Sequence, residues 1–555
     1  MKINTNKIPE FVKQVSQTLE EAGFETYLVG GAVRDLLTED SKNVEPKDFD
    51  LTTKAKPEEI INLFPKTVYE NTFGTVLVCV PKLTADSQKL TASDYESVEV
   101  TPFRTEGKYT DMRHPDSVSF SDKVEDDLKR RDFTVNAFAY RLKTDELIDL
   151  YEGKKDLENK ILKTVGDPDE RFTEDPLRLM RAIRFATSLN FMIEPKTMES
   201  IIKNADLIKH ISIERIRDEF VKIINSNSPA TGVEMLRRFG LLKYFIPELL
   251  EGVDCHQGGA HKYNVYEHLL HALKHAADKN FPSYIRIAAL FHDIGKPRSK
   301  REGVAKISTN TKFSKKINST DTLSSSSLPT NLPSRSSSER VSVALDSEAS
   351  LQPKTYNLQP SPKPTFYGHE VIGARMAKKI MERMKFPKDE IDLVYKFVRY
   401  HMFFSDTEVI TLSPVRRMIQ NVGVDRIWEL MQIRECDRVG MDKNEAPYRL
   451  RKYHAMIEEA LRDPISVKQL KVNGEYLIKE LNIKPGPRMG WILHALLEEV
   501  LEDPKLNTVE ILSQRVRELD KLTDKELKIL GEQGKDKREE LEGEEVKKLH
   551  KKHGV

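Results

Sequence analysis

Two short motifs near the start of the chain constrain its fold more than any other feature: YLVGGAVRDLL at 27–37 and DFDLTT at 48–53. The first predicts a strand that two glycines interrupt and a helix that follows them. In the second, Asp48 and Asp50 lie two residues apart in a strand-like run, so their carboxylates are expected on one face. Two adjacent carboxylates repel each other unless a cation lies between them, and Mg²⁺ prefers such oxygen ligands. Taken alone, the pair more often marks a solvated strand edge.

The chain of 555 residues is too long for one domain, and its length predicts three or four. Its formal net charge of +1 excludes a global positive field, so a nucleic-acid partner would need a local basic surface. Three widely spaced cysteines form neither a disulfide framework nor a CxxC metal motif, which favours a reducing compartment. Neither a signal-like N-terminus nor an apolar run of about 18 residues is present, so we expect a cytoplasmic protein without a membrane span.

The rest of the first 150 residues alternates between short helical and strand patterns. The sequence SVEVTPFR at 97–104 predicts a strand that carries Glu99. A third carboxylate on a strand beside the aspartate pair is what a two-metal phosphoryl-transfer site would use, although an exposed strand residue explains it equally well. Residues 105–120 are polar and contain Gly and Pro, so they predict a loop.

The segment DDLKRRDFTVNAFAY at 126–140 places two arginines before an apolar run that we interpret as a helix. Guanidinium groups bind phosphate in a bidentate manner, and the N-terminus of a helix adds a favourable dipole. The arginine pair alone fits a solvated basic turn as well as a phosphate site.

A charged helical pattern follows at 166–186, GDPDERFTEDPLRLMRAIRFA, and its predicted start is at 173–176. Apolar residues recur along one face, while Asp175, Arg178 and Arg181 share the adjacent face. From spacing alone, this is an amphipathic helix with intrahelical ion pairs. A carboxylate and a guanidinium can also pair with the Watson–Crick edge of a base, as side chains do when they read nucleic acid.

Four motifs in order, GGxVRD, DxD, RRDFTxNA and EDxxRxxR, resemble those of the class II nucleotidyltransferases, which include CCA-adding enzymes and bacterial poly(A) polymerases. The resemblance implies catalytic, Mg²⁺-binding acids at Asp48, Asp50 and, on the strand beside them, Glu99. It implies triphosphate contacts from Gly31, Arg34 and Arg131, and ribose contacts from Asp132 and Asn136. It also implies selection of the base by Asp175 and Arg178, with support from Arg181 and Arg184.

Histidines and aspartates recur at helical positions through residues 253–440. A lone His-Asp pair is more often a satisfied histidine near a helix end. The ordered set resembles the metal ligands of HD-domain phosphohydrolases and is complete, whereas a degenerate scaffold is expected to have lost ligands. Its members are His268, His292, Asp293, His369, His401 and Asp437. The resemblance implies a divalent metal of unidentified type that activates water for attack on a phosphate ester, such as a 2′,3′-cyclic phosphate on damaged RNA.

Two further segments have distinctive compositions. Residues 299–365 are rich in Ser, Thr, Lys and Pro and predict a disordered insertion on a surface loop. Residues 441–555 predict helices that are broken at Gly474 and at Pro485–Pro487. This tail resembles the C-terminal segment of HD-containing tRNA nucleotidyltransferases, and its basic residues are either tRNA contacts or a solvated helical face.

The sequence therefore predicts an α+β protein with a polymerase-β-like nucleotidyltransferase head and a small mixed sheet, followed by an all-α neck, an HD domain and a helical tail. The expected boundaries are 1–150 for the head, 151–252 for the neck, 253–440 for the HD domain and 441–555 for the tail. The expected function is addition of CCA to tRNA from CTP and ATP, with HD phosphohydrolase activity. The alternatives are a poly(A) polymerase, an enzyme that adds only A to tRNA, and an HD hydrolase whose head merely binds nucleotide.

Overall fold

The computed structural model describes residues 3–38, 46, 48–69, 74–82, 94–107, 117–258, 262–301, 364–402, 411–439 and 447–532. In this part of the chain, an N-terminal region built on a mixed sheet is followed by a long, predominantly helical region. The predicted α+β head and helical C-terminal region are therefore confirmed. None of the helices in the described ranges is long and apolar enough to cross a membrane.

The head is organised by its strands. They are β1 (Thr26–Val29), β2 (Asp50–Thr53), β3 (Thr67–Tyr69), β4 (Val76–Pro81), β5 (Tyr95–Pro102), β6 (Arg104–Glu106), β7 (Val118–Phe120), β8 (Phe138–Arg141) and β9 (Glu146–Asp149). Seven of them form one sheet in the order β3-β4-β5-β2-β1-β8-β9. Strands β2 and β5 run parallel and the other neighbours run antiparallel, so the sheet is mixed as predicted.

Four helices accompany this sheet: α1 (Glu10–Glu21), α2 (Gly31–Leu37), α3 (Pro57–Leu63) and α4 (Val124–Lys129). Helix α1 buries Val12, Val15 and Leu19, whose spacing forms one apolar stripe. Helix α2 follows β1 directly through the glycine turn, as the sequence predicts. This connection places the first turn of α2 beside the ends of the central strands.

The structure corrects the helix predicted at 130–140. Arg130 is the C-terminal cap of α4, and the chain then forms a 3₁₀ turn over Thr134–Asn136 before entering β8. Strand β8 pairs with β1 and is buried at its first three residues. A short, fully apolar run has no periodicity that separates a buried strand from a buried helix, and pairing with β1 decides in favour of the strand.

A second correction concerns the predicted loop at 105–120. Its two described ends are β6 and β7, which pair as antiparallel strands with Thr105 opposite Ser119. Residues 108–116 lie outside the described ranges. Gly and Pro residues lie between these two short strands, and they favour the loop that the sequence predicts.

The neck helices are α5 (Gly153–Glu158), α6 (Pro168–Glu174), α7 (Leu177–Leu189), α8 (Pro195–Lys203), α9 (Ile213–Ile224) and α10 (Pro229–Arg238). The prediction of an all-α neck is wrong in one respect, because β10 (Ile161–Leu162) and β11 (Met192–Ile193) form a small parallel pair. The helix predicted to begin at 173–176 is also divided. Asp175 is extended, with φ −136° and ψ 98°, because a residue before proline disfavours the helical conformation.

The remaining helices begin with α11 (Val265–Asp278), α12 (Ser283–Phe291), α13 (Lys296–Ser299), α14 (His369–Arg383), α15 (Lys388–Tyr400), α16 (Leu412–Val422) and α17 (Ile427–Asp437). The tail contributes α18 (Pro447–Ala460), α19 (Gly474–Lys479), α20 (Pro487–Glu502), α21 (Val509–Leu519) and α22 (Asp524–Glu532). Helices α19 and α20 begin at Gly474 and Pro487, the two predicted breaks.

The predicted insertion at 299–365 is described only at its ends. Arg301 and Thr365 exchange two backbone hydrogen bonds of 3.0 Å, so these flanking residues are paired with each other. The prediction of disorder for 302–363 lies outside the described residues, as does the charged segment 533–555. The pairing joins α13 to the segment that leads into α14.

Candidate functional site

A cavity of about 730 Å³ lies where the head meets α7 and α9. Every head and neck residue that the sequence analysis singled out lines it, with the exception of Glu99. Glu99 lies on β5 directly opposite Asp50 of β2 in the parallel register, on an exposed face of the strand. Residues separated by more than 150 positions in the chain thus surround one cavity, and Arg215 is among them.

The acid pair lies at the sheet side of this cavity. Asp50 is the first residue of β2, whereas Asp48 precedes the strand and is exposed. The strand-face argument therefore holds for Asp50 only, although both carboxylates reach the same cavity. Burial raises the pKa of Asp50, the charge of Arg131 opposes this, and the neighbouring Asp48 adds to it. Two carboxylates that reach one cavity form a donor set suited to a divalent cation.

Gly30 and Gly31 shape the turn between β1 and α2. Gly30 has φ +75°, and a Cβ atom built on it would lie 3.2 Å from Nη1 of Arg131. A Cβ atom on Gly31 would lie 3.5 Å from Nη2 of Arg34, which is ordinary contact. The conformation and the space at Gly30 both favour glycine, so Gly30 constrains this turn more strongly than the predicted Gly31.

Two arginines at the end of α4 share one carboxylate. Asp127 Oδ1 accepts from Nε and Nη2 of Arg130 at 3.0 and 2.5 Å, and Oδ2 accepts from Nε and Nη2 of Arg131 at 3.3 and 3.0 Å. Burial alone would raise the pKa of Asp127, but the charges of Arg131 and Arg130 and their hydrogen bonds lower it below its usual value. Sequence reasoning missed Asp127, although its i, i+3 and i, i+4 spacing to the arginines is a recognisable helical signal.

Asp132 links the head to the neck. Its Oδ1 accepts from the backbone N–H of Phe133 at 2.8 Å and from Nδ2 of Asn136 at 3.2 Å, while its Oδ2 accepts from Nε of Arg181 at 2.8 Å. Burial works against ionisation, but Arg181 and the other donors lower the pKa of Asp132 to about 2. Asn136 in turn accepts from Nη1 of Arg34 at 2.6 Å. Both predicted ribose contacts are thus engaged with protein groups.

The neck side of the cavity holds the predicted base-selecting pair. Asp175 pairs with Arg215 of α9 at 3.1 Å, and its other oxygen accepts from the backbone of Leu177. Arg178 donates to Glu174 at 2.7 Å and to the carbonyl of Arg130 at 3.1 Å. The first contact is the i, i+4 ion pair that the amphipathic interpretation predicts. No periodic signal indicates Arg215, because its partner lies 40 residues earlier in the chain.

Phe185 on α7 is surrounded by guanidinium groups. Arg184, Arg181 and Arg34 lie 4.1, 5.4 and 5.6 Å from the centre of its ring. Burial lowers the pKa of Arg184, whereas its ion pair with Glu219 at 3.0 Å has the opposite effect. Phe185 therefore lies within cation–π distance of three guanidinium groups at the cavity wall.

The six predicted metal ligands of the C-terminal half also converge. His268, His292, Asp293 and Asp437 form one group, and Asp293, His369 and His401 form another, with all donor atoms of a group within 4.8 Å of one another. Every member is buried. Their positions are in α11, directly after α12, at the start of α14, directly after α15 and at the end of α17. The ligands therefore come from five helices or helix ends.

Backbone carbonyls orient three of these imidazoles. Nδ1 of His292, His369 and His401 lies 2.8, 2.8 and 2.7 Å from the carbonyl oxygens of residues 289, 366 and 398. This contact places the proton on Nδ1 and leaves Nε2 as a lone-pair donor toward the cluster. Nε2 of His369 and of His401 makes no hydrogen bond within the described part of the chain, and the same is true of Asp293 Oδ1. Buried lone pairs that accept no hydrogen bond can instead coordinate a cation.

Family models match three segments of the chain. The Poly A polymerase head domain matches residues 26–163, and the probable RNA- and SrmB-binding site of polymerase A matches residues 190–252. A model of the second domain of tRNA nucleotidyltransferases matches residues 371–516. Together these matches cover the cavity-lining head, most of the neck and the last part of the helical region.

Curated relatives match less than half of the chain. The CCA-adding enzyme of Lactobacillus helveticus (strain DPC 4571) is 48% identical over 225 residues, which are 40% of this chain. The CCA-adding enzyme of Lactococcus lactis subsp. lactis (strain IL1403) is 44% identical over 247 residues, which are 44% of this chain. These alignments cover 52% and 58% of the relatives, so the chain spans about half the length of the curated relatives it matches.

Solved structures match the fold over nearly the whole chain. The Bacillus stearothermophilus CCA-adding enzyme in complex with CTP has a TM-score of 0.58 at 23% identity, covering 92% of this chain and 97% of its own. A CCA-adding enzyme in apo form II has a TM-score of 0.52 at 17% identity, covering 94% of this chain and 100% of its own. The chain therefore has the fold of the CCA-adding enzymes, a nucleotidyltransferase head followed by helices.

Proposed function

We propose that this protein adds CCA to the 3′ end of tRNA from CTP and ATP without a nucleic-acid template. The observation that carries the proposal is that one cavity combines a carboxylate pair, several arginines of the head and, at the junction of α6 and α7, Asp175 and Arg178. The first two groups suit nucleotidyl transfer, and the third suits recognition of a base edge. The similarity of the chain to CCA-adding enzymes, and of its fold to one of them in complex with CTP, supports this combination.

In the proposed reaction, the 3′ oxygen of tRNA forms a bond to the α-phosphorus of CTP or ATP. The bond from this phosphorus to the bridging oxygen breaks, pyrophosphate leaves, and the hydroxyl proton passes to solvent. Asp48 and Asp50, with Glu99 on the neighbouring strand, would hold Mg²⁺, which when bound supplies charge for activation of the attacking hydroxyl and for the leaving group. Arg34 and Arg131 attract the negative triphosphate into the cavity.

Base selection in this proposal belongs to the neck. The carboxylate of Asp175 accepts from an exocyclic amine, and the guanidinium of Arg178 donates to ring acceptors, a combination that C and A offer and that U and G do not. Arg215 and Glu174 hold these two groups at the cavity wall. Arg181 and Arg184 support them through Asp132, Glu219 and the Phe185 ring.

The test is incubation of the purified protein with labelled CTP, ATP and tRNA that lacks its CCA end. We expect two C additions and one A addition, and we expect Asp50→Ala to abolish incorporation. Asp122→Asn is the matched control, because Asp122 is an exposed acid of the head that pairs with Lys54 outside the cavity. Full incorporation by Asp50→Ala would contradict the mechanism.

Three primers separate this function from its nearest alternatives. A poly(A) polymerase extends a generic RNA with many A residues, and an A-adding enzyme extends only tRNA that already ends in CC. The proposed enzyme extends tRNA that ends before CCA with both nucleotides and stops after three additions. Growth beyond three residues, or no C addition, would favour one of the alternatives.

A second activity is supported by the buried cluster of six metal ligands. Nε2 of His369 and Nε2 of His401 lie 3.1 and 3.5 Å from Oδ1 of Asp293. These three atoms would fit a divalent cation, which when bound supplies the charge that makes water a nucleophile. Lys296 contacts Asp293 Oδ2 at 2.5 Å and Arg434 pairs with Asp437, so cations fix both carboxylates from outside the cluster. We propose HD-type hydrolysis of a phosphate ester, with a 2′,3′-cyclic phosphate at an RNA end as its substrate class.

Metal analysis and a hydrolysis assay test this second activity. The purified protein should retain a divalent metal, and with it should open 2′,3′-cyclic AMP. His369→Ala should reduce both while leaving addition of CCA intact, because the two sites use different residues. His271→Ala is a control on the same helix as His268 but outside the six ligands. Hydrolysis that survives in His369→Ala would contradict the assignment.

We also propose that the chain is divided into four domains, a head at 1–150, a neck at 151–252, an HD domain at 253–440 and a tail at 441–555. The tail would contact the tRNA backbone through Lys and Arg side chains, with an affinity that falls as salt rises. The three cysteines Cys79, Cys255 and Cys436 are free thiols, which suits the cytoplasm that we propose as its location.

A further inference from the structure

Asp127 is a fully buried carboxylate that binds two partly exposed arginines of the cavity, Arg130 and Arg131. Four N–H groups converge on its two oxygens, and each arginine uses the same edge, Nε and Nη2. The carboxylate is 0% exposed, whereas the Arg130 and Arg131 side chains are 21% and 19% exposed. The arrangement therefore buries the anion while both arginine side chains remain partly exposed.

The remaining edge of Arg131 points at the glycine turn. Its Nη1 lies 3.2 Å from the place that a Cβ atom of Gly30 would occupy, so only a residue without a side chain leaves this approach open. Both arginines and Gly30 line the cavity. One carboxylate and two guanidiniums carry a net charge of +1, which still attracts phosphate. The shared carboxylate also restricts the rotation of two long side chains, so less side-chain entropy is lost when phosphate binds.

We propose that Asp127 is a positioning residue that clamps Arg130 and Arg131 in the orientation that binds the triphosphate of the incoming nucleotide. The clamp is needed because Arg130 caps the C-terminus of α4, and the negative end of a helix dipole attracts guanidiniums and disfavours phosphate. Asp127 binds the edge of each arginine that carries Nε and Nη2, and Nη1 of Arg131 is left beside the glycine turn. This inference rests on the proposed function, since it assigns a triphosphate to the cavity.

The clamp acts on the triphosphate and not on the base, which separates it from Asp175 and Arg178. Asp127→Asn should therefore weaken binding of CTP, ATP and inorganic tripolyphosphate by the same factor, about tenfold or more for the loss of charge-assisted hydrogen bonds. The rate of transfer at saturating nucleotide should change much less, because the carboxylate pair is untouched. Asp127→Glu, which keeps the charge but moves it by one methylene, should lose less affinity than Asp127→Asn.

Titration calorimetry with tripolyphosphate and with CTP, beside steady-state KM and kcat, measures these effects on the full chain. Asp126→Asn is the control, because Asp126 is the adjacent acid and accepts from Ser121 at 2.5 Å. It removes the same charge one residue away and should leave affinity within about twofold of the native protein. A thermal unfolding midpoint for each variant shows whether it is folded, and Asp127→Glu replaces Asp127→Asn if the latter is not.

Three results would overturn the clamp: native tripolyphosphate affinity in folded Asp127→Asn, unequal factors for CTP and ATP, or an equal loss in Asp126→Asn. The absence of tripolyphosphate binding by the native protein would also overturn it. Failure of the proposed function can be distinguished from failure of the clamp. A native protein that binds tripolyphosphate and CTP but adds nothing to tRNA would refute the activity. The binding measurements on the Asp127 variants would still test the clamp.

Discussion

Arg181 of α7 donates to Asp132 through two nitrogens, Nε at 2.8 Å and Nη2 at 2.5 Å, and so joins the neck to the head across the cavity. The same carboxylate accepts from Asn136, which accepts from Arg34 on α2. A continuous chain of charge-assisted contacts therefore runs from Arg34 on α2 to α7, the helix that carries Arg178. Arg181→Gln breaks this chain at its single inter-domain step.

We expect Arg181→Gln to lower the free energy of unfolding by roughly 1–2 kcal/mol, because it leaves the buried carboxylate of Asp132 with fewer hydrogen-bond donors. The arginine is about one-third exposed, so solvent already screens part of the interaction. Urea unfolding measures this change. Lys274→Gln, which removes an exposed i, i+4 partner of Asp278, is the control and should stay within about 0.5 kcal/mol. Equal effects of the two variants would contradict the role of Arg181.

The depressed pKa of Asp132 predicts a pH dependence of stability. A carboxylate whose pKa falls to about 2 in the folded state stabilises the protein fully above its unfolded pKa of about 3.9 and loses this contribution as the pH falls toward 2. The contribution is about 2 kcal/mol. The difference in unfolding free energy between the native protein and Asp132→Asn, followed from pH 5 to pH 2.5, should therefore shrink.

The Arg181→Gln background checks the cause of this pH dependence. Without the guanidinium, burial is opposed by fewer donors, so the pKa of Asp132 should return toward its usual value. The pH-dependent difference between Asp132→Asn and its parent should then be much smaller in this background. An undiminished difference would assign the low pKa to groups other than Arg181.

Gly30→Ala should weaken nucleotide binding as well as stability. The positive φ of Gly30 costs an alanine about 1–3 kcal/mol, and its Cβ would press on Nη1 of Arg131 at 3.2 Å. Gly23→Ala is a matched control, because Gly23 has φ +90° but nothing within 4 Å of its Cβ position. Both variants should lose stability by similar amounts, and only Gly30→Ala should raise the KM for CTP. Equal KM values would remove Gly30 from the site.

Arg215→Gln should reduce base discrimination. Arg215 holds Asp175 Oδ2 at 3.1 Å, so its loss frees the carboxylate that the proposal assigns to recognition of the exocyclic amine. Misincorporation of UTP and GTP, relative to CTP and ATP, should rise in a competition assay with tRNA. Arg217→Gln, which removes a guanidinium of the same helix that pairs with Asp218, is the control. A uniform decrease for all four nucleotides would indicate a purely structural role.

Gly295→Ala should disrupt the metal cluster from a distance. A Cβ atom at this position would lie 2.2 Å from the carbonyl of His369 and 2.5 Å from the N atom of Gly373, so α14 would have to move. We expect a loss of about 1–3 kcal/mol in unfolding free energy and a lower content of bound metal by elemental analysis. Gly490→Ala in α20 meets no atom within 4 Å and should be neutral or stabilising. Native metal content in Gly295→Ala would contradict the prediction.

Local signals predicted the parts of the site that lie within one element. The strand, glycine turn and helix of 26–37 follow from an apolar run and two glycines, and β2 follows from DFDLTT. Gly474 and Pro487 similarly mark the first residues of α19 and α20. Errors arose where periodicity does not distinguish two structures, as at β8, or where a proline divides one amphipathic pattern, as at Asp175.

Local sequence signals identified the chemical groups that the fold then brings together: an acid pair, an arginine-rich segment, an acid and an arginine at the junction of α6 and α7, and six histidines and aspartates of the C-terminal half. The partners of these groups follow from long-range packing, since Asp132 contacts Arg181 across 49 positions and Asp175 contacts Arg215 across 40. Periodicity reports the face of one element to which a residue belongs. Contacts between elements depend on how the sheet and helices pack, and that packing sets the charge and orientation of each functional group.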